Sequence, residues 1–455
     1  MKRTLLLVLA PLFFLLSCKT TPEPVARYEI PSSNPDEASM DAAMFAKMDS
    51  VSQALVDEGK LPGIEAMVIR GGKIVHNSRI GFEDLEKKQP LREGQIFRMA
   101  SMTKPVTAVA AMILYQEGKF KLDDPVSKYI PEFANTQVLD SLNPEDYSRT
   151  TVPANREVTV RDLLTHSSGL GYGFVQPEAG IMYSQAGVND AWSLEPFVLA
   201  DKMKALAGLP LLHQPGEKWT YGLGIDMTGY LVEVLSGMPL DQFMQERIFD
   251  PLGMDDTGFY LDDSYTDRML PVIAYSEEEG ALESAVKSDL IARRGVKILY
   301  PDFTEAQVDS VGELLMNFAV NGSKTYFSGG GGLCGTTENY ARFALMLTNG
   351  GELNGVRILN DTTVQRMCAN NTSHDFPYGL GVSISPSQEN ATYPEKDGAF
   401  GWGGYFKTRY WSDPSEDLTV LLMTQSNPNP NVDPHFDTCT KMIYGAIRRA
   451  DTGTR

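Results

Sequence analysis

Basic residues are scarce in this chain of 455 residues: 40 Lys and Arg stand against 59 Asp and Glu, a formal charge of −19 at pH 7. Phosphate backbones are bound by basic faces that displace counterions, so this balance argues against a nucleic-acid partner. It argues equally against docking on anionic lipid by charge. Cys (4) and His (5) are nearly as rare, and they show no CxxC, HxH or HExxH spacing, so no metal is expected. The glycine run Gly329–Gly332 is not followed by Lys-Ser/Thr, which removes a phosphate loop. No G-x-S-x-G pentapeptide supports an α/β-hydrolase elbow. Repeats and low-complexity tracts are missing too, which excludes a solenoid. What is present is an ordinary globular composition, 42% hydrophobic and 22% charged, with length for two or three structural units.

The apolar run Leu5–Leu16 is shorter than the roughly 20 residues that span a bilayer. Preceded by Lys2 and Arg3, it reads as a secretory signal. Its ending, Leu15-Leu16-Ser17-Cys18, resembles a bacterial lipobox, which implies a lipidated Cys18 as the first mature residue. Residues 1–18 are therefore expected to be a lipoprotein signal, and the Pro- and Ser-rich 19–39 a flexible tether. The membrane would be met only through that lipid, with the protein exported to the bacterial envelope, in the periplasm or on the outer membrane. Without Cys18, three cysteines remain: Cys334, Cys368 and Cys439. One disulfide is permitted in an oxidising compartment, with its pairing open.

Periodicity predicts helices over 40–58, 102–117, 160–164, 226–236, 241–249, 337–347 and 436–447. Strands are expected over 64–69, 73–81, 379–385, 400–405, 409–413 and 418–424. Strand signals thus cluster at both ends of the chain around a helical middle. The expected architecture is one α/β (α+β) sheet subdomain, about 40–115 and 322–450, interrupted by a mostly helical insertion over about 116–321. The charged stretch 262–320 reads as a solvated surface excursion.

Ser101-Met102-Thr103-Lys104 is the first chemical candidate. Ser and Lys three apart on a helix share a face, so the lysine can hydrogen-bond the serine hydroxyl and, if desolvated, accept its proton. A serine at a helix start also has backbone N–H groups aimed at a developing oxyanion. The pattern alone is weak: Ser284-Ala285-Val286-Lys287 repeats it inside the acidic surface stretch, without comparable context.

Phe97-Arg98-Met99-Ala100-Ser101-Met102-Thr103-Lys104 resembles the active-site serine segment of the serine β-lactamase and penicillin-binding-protein superfamily. Leu163-Leu164-Thr165-His166-Ser167-Ser168-Gly169-Leu170 is similar to a segment of its class C-like branch. So are Pro215-Gly216-Glu217-Lys218-Trp219-Thr220-Tyr221, Pro251-Leu252-Gly253-Met254, and Gly329–Gly332 leading into Thr336-Thr337-Glu338. The order of these matches across nearly all of the mature chain makes them specific. The resemblance implies a β-lactamase/transpeptidase-like fold, in which an antiparallel sheet is flanked by helices. It also implies that Tyr221 is the second proton-transfer residue beside Lys104. The oxyanion hole would use the backbone N–H groups of Ser101 and Tyr405.

The chain departs from that pattern twice. Leu223 stands where class C enzymes and many peptidases carry asparagine, and Trp402-Gly403-Gly404 stands where they carry Lys-Thr-Gly. Both departures resemble the family VIII carboxylesterases. Leu223, Trp402, Gly403 and Gly404 would then line an apolar, charge-poor cleft suited to a neutral ester rather than a carboxylate-bearing peptide or β-lactam. Lys407-Thr408 reads as a hairpin turn, not a displaced Lys-Thr box, and His166 as a structural histidine. The expectation is a serine hydrolase acting on a small ester or related acyl substrate without a cofactor. A D-alanyl-D-alanine carboxypeptidase or weak β-lactamase is the alternative, and a catalytically silent envelope binder another.

Overall fold

The structure is a computed structural model that describes residues 28–143, 145–188, 192–193, 195–285, 304–374, 376–385 and 398–448. A seven-stranded antiparallel sheet is built from β1 (Gly63–Arg70), β2 (Lys73–Asp84), β3 (Gln89–Pro90), β4 (Ser383–Ile384), β5 (Phe400–Gly404), β6 (Thr408–Asp413) and β7 (Leu418–Met423). Their spatial order is β4-β5-β6-β7-β1-β2-β3. The last strand of the chain therefore lies beside the first, with Glu65 opposite Met423 and Met67 opposite Leu421. β1 and β7 are mainly apolar and buried on both sides, Glu65 and Thr419 being the polar residues within their buried lengths, because both faces of the sheet are covered.

The two-residue period of a strand divides these runs between two cores. Leu418, Val420 and Leu422, with Ile64, Ala66 and Val68, pack against Phe45, Met48, Phe436 and Ile443. These last four come from helices α1 (Ala42–Asp57) and α6 (Val432–Gly445). Leu421, Met423, Met67 and Ile69 face the other way, into the larger core with Val106, Val109 and Ile113. The latter belong to α2 (Thr103–Gln116), whose residues from Thr103 to Leu114 are all buried. A helix apolar all round belongs inside a protein, and α2 is the axle of this one.

The middle of the chain supplies α3 (Val160–Leu164), closed by a capping box between Thr159 and Asp162, and α4 (Gly224–Ser236). Gly237, at φ 73°, ends α4 in the left-handed conformation that glycine accepts. Two hairpins there, Gln137–Leu142 with Arg149–Pro153 and Ile273–Ser276 with Ala281–Ser284, have no counterpart in the expected elements. After the glycine run comes α5 (Thr337–Thr348). Of the strand expected over 379–385, only Ser383–Ile384 pairs.

Part of the expected tether is fixed in place. Ile30 is buried in the main core, Ser32 bridges Ile74, and Met40 bridges Ile447. The signal segment and Cys18 lie outside the described residues. Cys334, Cys368 and Cys439 are all free thiols, so no disulfide joins them. No helix among the described residues is long and apolar enough to cross a membrane.

Candidate active site

Phe97 and Arg98 pair with Gly335 and Cys334, and the chain then turns sharply into α2. The turn is strained: Ala100 has φ 44°, a left-handed conformation that a residue with a Cβ adopts only at a cost. It places Ser101 in a 3-10 turn, Ala100–Met102, at the threshold of α2. One turn further on, the completely buried Lys104 reaches back so that its Nζ lies 3.1 Å from Ser101 Oγ. The expected Ser–Lys pair is therefore formed.

Lys104 Nζ has two further partners: it donates to Tyr172 Oη at 3.0 Å and to the Gly330 carbonyl at 2.7 Å. The N–H of Gly330 donates in turn to Asp226 Oδ1 at 3.0 Å, and Ser328 Oγ donates to the same oxygen at 2.6 Å. Tyr172 Oη stands 3.5 Å from Asp226 Oδ2. The glycine run permits this approach, since a Cβ on Gly330 would lie 2.1 Å from Asp226 Oδ2. Burial holds the Asp226 carboxyl above its ordinary range, opposed by the charge of Lys104.

Tyr221 completes the group, its Oη 2.6 Å from Ser101 Oγ and its ring centroid 4.6 Å from Lys104 Nζ. His166 sets the position of that tyrosine. Held at φ 55°, it accepts the Thr220 N–H on its carbonyl at 2.7 Å and the Gly222 N–H on Nδ1 at 3.4 Å. Its ring lies 5.0 Å from the Tyr221 ring. Burial first, and then Lys104, push the imidazole well below its usual pKa, consistent with a neutral ring able to accept on Nδ1. The structural reading of His166 gains a specific content: it clamps the main chain on both sides of Tyr221.

The Trp402-Gly403-Gly404 run lies on β5. A Cβ on Gly404 would meet the Met99 carbonyl at 2.4 Å, so this glycine lets the strand end abut the serine turn. Tyr405 follows at the mouth of the β5–β6 hairpin, its ring 6.2 Å from Trp192. Trp402 is half-buried and sits against Tyr221 at 5.7 Å and Tyr378 at 5.3 Å. Leu223 differs from expectation. It is fully buried in the main core as the N-cap of α4, so it offers no surface to a substrate. Lys407 occupies the hairpin turn at φ 59° and pairs with Asp433 at 2.5 Å. Ser284 is exposed at the end of a hairpin strand, while Val286 and Lys287 of the second Ser-x-x-Lys lie outside the described residues.

Sequence reasoning missed Tyr172 and Asp226. Tyr172 lies two residues beyond the Leu163–Leu170 motif, and no spacing rule ties it to Lys104. Asp226 sits in the first turn of α4, where an acid has a ready explanation in the helix dipole.

A hydroxyl between a buried lysine and a phenol, on a helix threshold beside a glycine-rich strand, is an arrangement suited to acyl transfer. The fold with this site is that of the β-lactamase-like serine hydrolases. The family model described as "Beta-lactamase" matches residues 48–437, and the chain belongs to that family. Esterase EstB of Burkholderia gladioli is 30% identical over 400 residues, 87% of this chain and 94% of EstB. A protein of Escherichia coli K12 named "Putative D-alanyl-D-alanine carboxypeptidase" is 26% identical over 458 residues, 95% of this chain and 93% of its own. The solved structure of "EstCE1, a hydrolase with promiscuous acyltransferase activity" superposes with a TM-score of 0.72 at 25% identity, covering 89% of this chain and 99% of EstCE1.

Proposed function

We propose that the protein is a serine hydrolase that cleaves carboxylic esters through an acyl-enzyme on Ser101. The observation that carries this reading is the convergence of Lys104 Nζ and Tyr221 Oη on one serine oxygen, at 3.1 and 2.6 Å. In the first step Ser101 Oγ bonds to the ester carbonyl carbon while its proton passes to the Lys104–Tyr221 pair that contacts it. Backbone N–H groups of Ser101 and Tyr405 hold the oxyanion. The carbon–oxygen bond to the alcohol then breaks, and Tyr221 returns the proton to the leaving oxygen. Water repeats the sequence on the acyl-enzyme and releases the acid.

An ester is favoured over a peptide because Trp402 lines the strand where a lysine would otherwise hold a substrate carboxylate, and Leu223 withdraws into the core. The similarity to a carboxypeptidase homologue over 95% of the chain supports a second reading, cleavage of a D-alanyl-D-alanine peptide. We place the enzyme in the bacterial envelope on the strength of Lys2-Arg3, the run Leu5–Leu16 and Cys18.

Hydrolysis of p-nitrophenyl acetate, butyrate and octanoate should be compared with a chromogenic cephalosporin and a D-alanyl-D-alanine peptide, in the parent and in Ser101→Ala. Ester turnover abolished by the substitution, with a phosphonate adduct mapped to Ser101, is the expected result. Peptide or cephalosporin turnover well above ester turnover would establish the second reading. Activity surviving in Ser101→Ala would refute both.

A further inference from the structure

Tyr221 is one member of a continuous set of aromatic rings that ends in solvent. Trp219 lies nearly parallel to it, 5.8 Å away at 13°. Phe376 lies 4.5 Å from Trp219, and Tyr378 is 6.1 Å from Trp219 and 5.3 Å from Trp402. Phe376 is 44% exposed, a large apolar ring left in water beside Trp219, which itself stacks on the serine's partner Tyr221. Large exposed apolar groups mark binding sites when they join a larger apolar surface, and this one is continuous with the wall of the candidate cleft.

We infer that Phe376 and Trp219 form the subsite for the leaving alcohol, and that it takes a planar aromatic group: the substrates are arylmethyl-type esters. This rests on the acyl-enzyme reading, in which Tyr221 hands its proton to the departing oxygen; whatever is attached to that oxygen must then lie next to the rings that flank Tyr221. Trp219, Phe376, Tyr378 and Trp402 carry no formal charge at neutral pH, the Tyr378 phenol being pushed further up by burial, so a neutral group is matched and a carboxylate is not. Flat rings also prefer flat neighbours, since offset and edge-to-face aromatic pairs are favourable beyond the area they bury.

The test compares benzyl acetate with cyclohexylmethyl acetate, which share a carbon skeleton and differ in planarity, on the full chain and on Phe376→Leu. The parent should favour the benzyl ester in kcat/KM by roughly three- to tenfold, the factor such ring pairs contribute. In Phe376→Leu, which keeps an apolar side chain and removes the flat face, that ratio should fall toward one. Binding of benzyl alcohol and cyclohexylmethanol, followed by ligand-observed NMR titration, should show the same preference and the same loss. Equal affinity for the two alcohols, or a preference that Phe376→Leu leaves intact, overturns the subsite. Preferential binding of benzyl alcohol without turnover of any ester overturns the esterase reading and leaves the aromatic subsite standing.

Discussion

Glu65 offers a perturbation whose size can be worked out. It lies on β1 directly opposite Arg79 of β2, only 5% exposed. Its Oε2 accepts from Thr337 Oγ1 at 2.9 Å, and Arg79 stands 3.8 Å from Oε1. Burial raises its pKa from 4.5 to about 7, against the opposing pull of Thr337 and Arg79 and with the help of Glu93 and Glu338. Between those two values the folded protein holds a proton that the unfolded chain has released. Stability attributable to this group is therefore greatest below about pH 4.5 and falls as pH rises to about 7. The shift, 7 − 4.5 = 2.5 units, corresponds to about 3 kcal/mol at 1.36 kcal/mol per unit. Glu65→Gln keeps an acceptor for Thr337 and removes the charge. Urea unfolding of parent and variant at pH 5 and pH 8 should then show little difference at pH 5 and a variant more stable by about 2–3 kcal/mol at pH 8. Glu233, also raised to about 7 by burial, is common to both proteins and cancels. Equal effects at the two pH values, or a variant less stable at pH 8, would refute the reasoning.

Three substitutions probe the site itself. Tyr172→Phe removes the hydroxyl that Lys104 contacts at 3.0 Å; a lost bond to a charged group should lower kcat about 10- to 100-fold, with a smaller change in KM. Asp226→Asn keeps an oxygen acceptor for Ser328 Oγ and the Gly330 N–H but removes the charge facing Lys104, so kcat should fall in steady-state kinetics while urea unfolding shows the fold retained. His166→Ala leaves the Gly222 N–H without its acceptor and frees the Tyr221 ring, so kcat should fall at near-constant KM, with about 1–3 kcal/mol lost from stability. An unchanged kcat in His166→Ala would show that Tyr221 is held by other means.

Local patterns carried much of the fold. The mainly apolar runs of β1 and β7 and the Thr159 cap were readable because short-range sterics and burial dictate them. The hairpin over 137–153 escaped because its second strand, Arg149–Pro153, is exposed throughout and shows no in–out alternation to read. The tether reading failed over 28–39 for another reason: its Pro-rich composition suits a linker, yet Ile30 packs into the core and Ser32 bridges Ile74. In the site, Ser101 and Lys104 were legible because they share one helical turn. Tyr172 and Asp226 were not, since their approach to Lys104 spans distant parts of the chain, and Leu223 was misplaced because a motif position does not say which way a side chain turns.

The serine turn is also tied to the far end of the chain. The Arg98 N–H donates to Gln425 Oε1 at 3.0 Å, and Gln425 Nε2 donates to the Arg98 carbonyl at 3.3 Å, across 327 positions of sequence. Gln425 lies just past β7, the strand that closes the sheet beside β1. Such long-range closure makes assembly slow and late, and it gives the protein a built-in order of events during synthesis. A ribosome that has made Ser101, Lys104 and Tyr221 has not yet made the residue that pins the serine turn, so the growing chain carries that turn in an unassembled form. The serine turn takes its pinned form only with the last strand, and a proteolytic nick that released that strand would loosen it again.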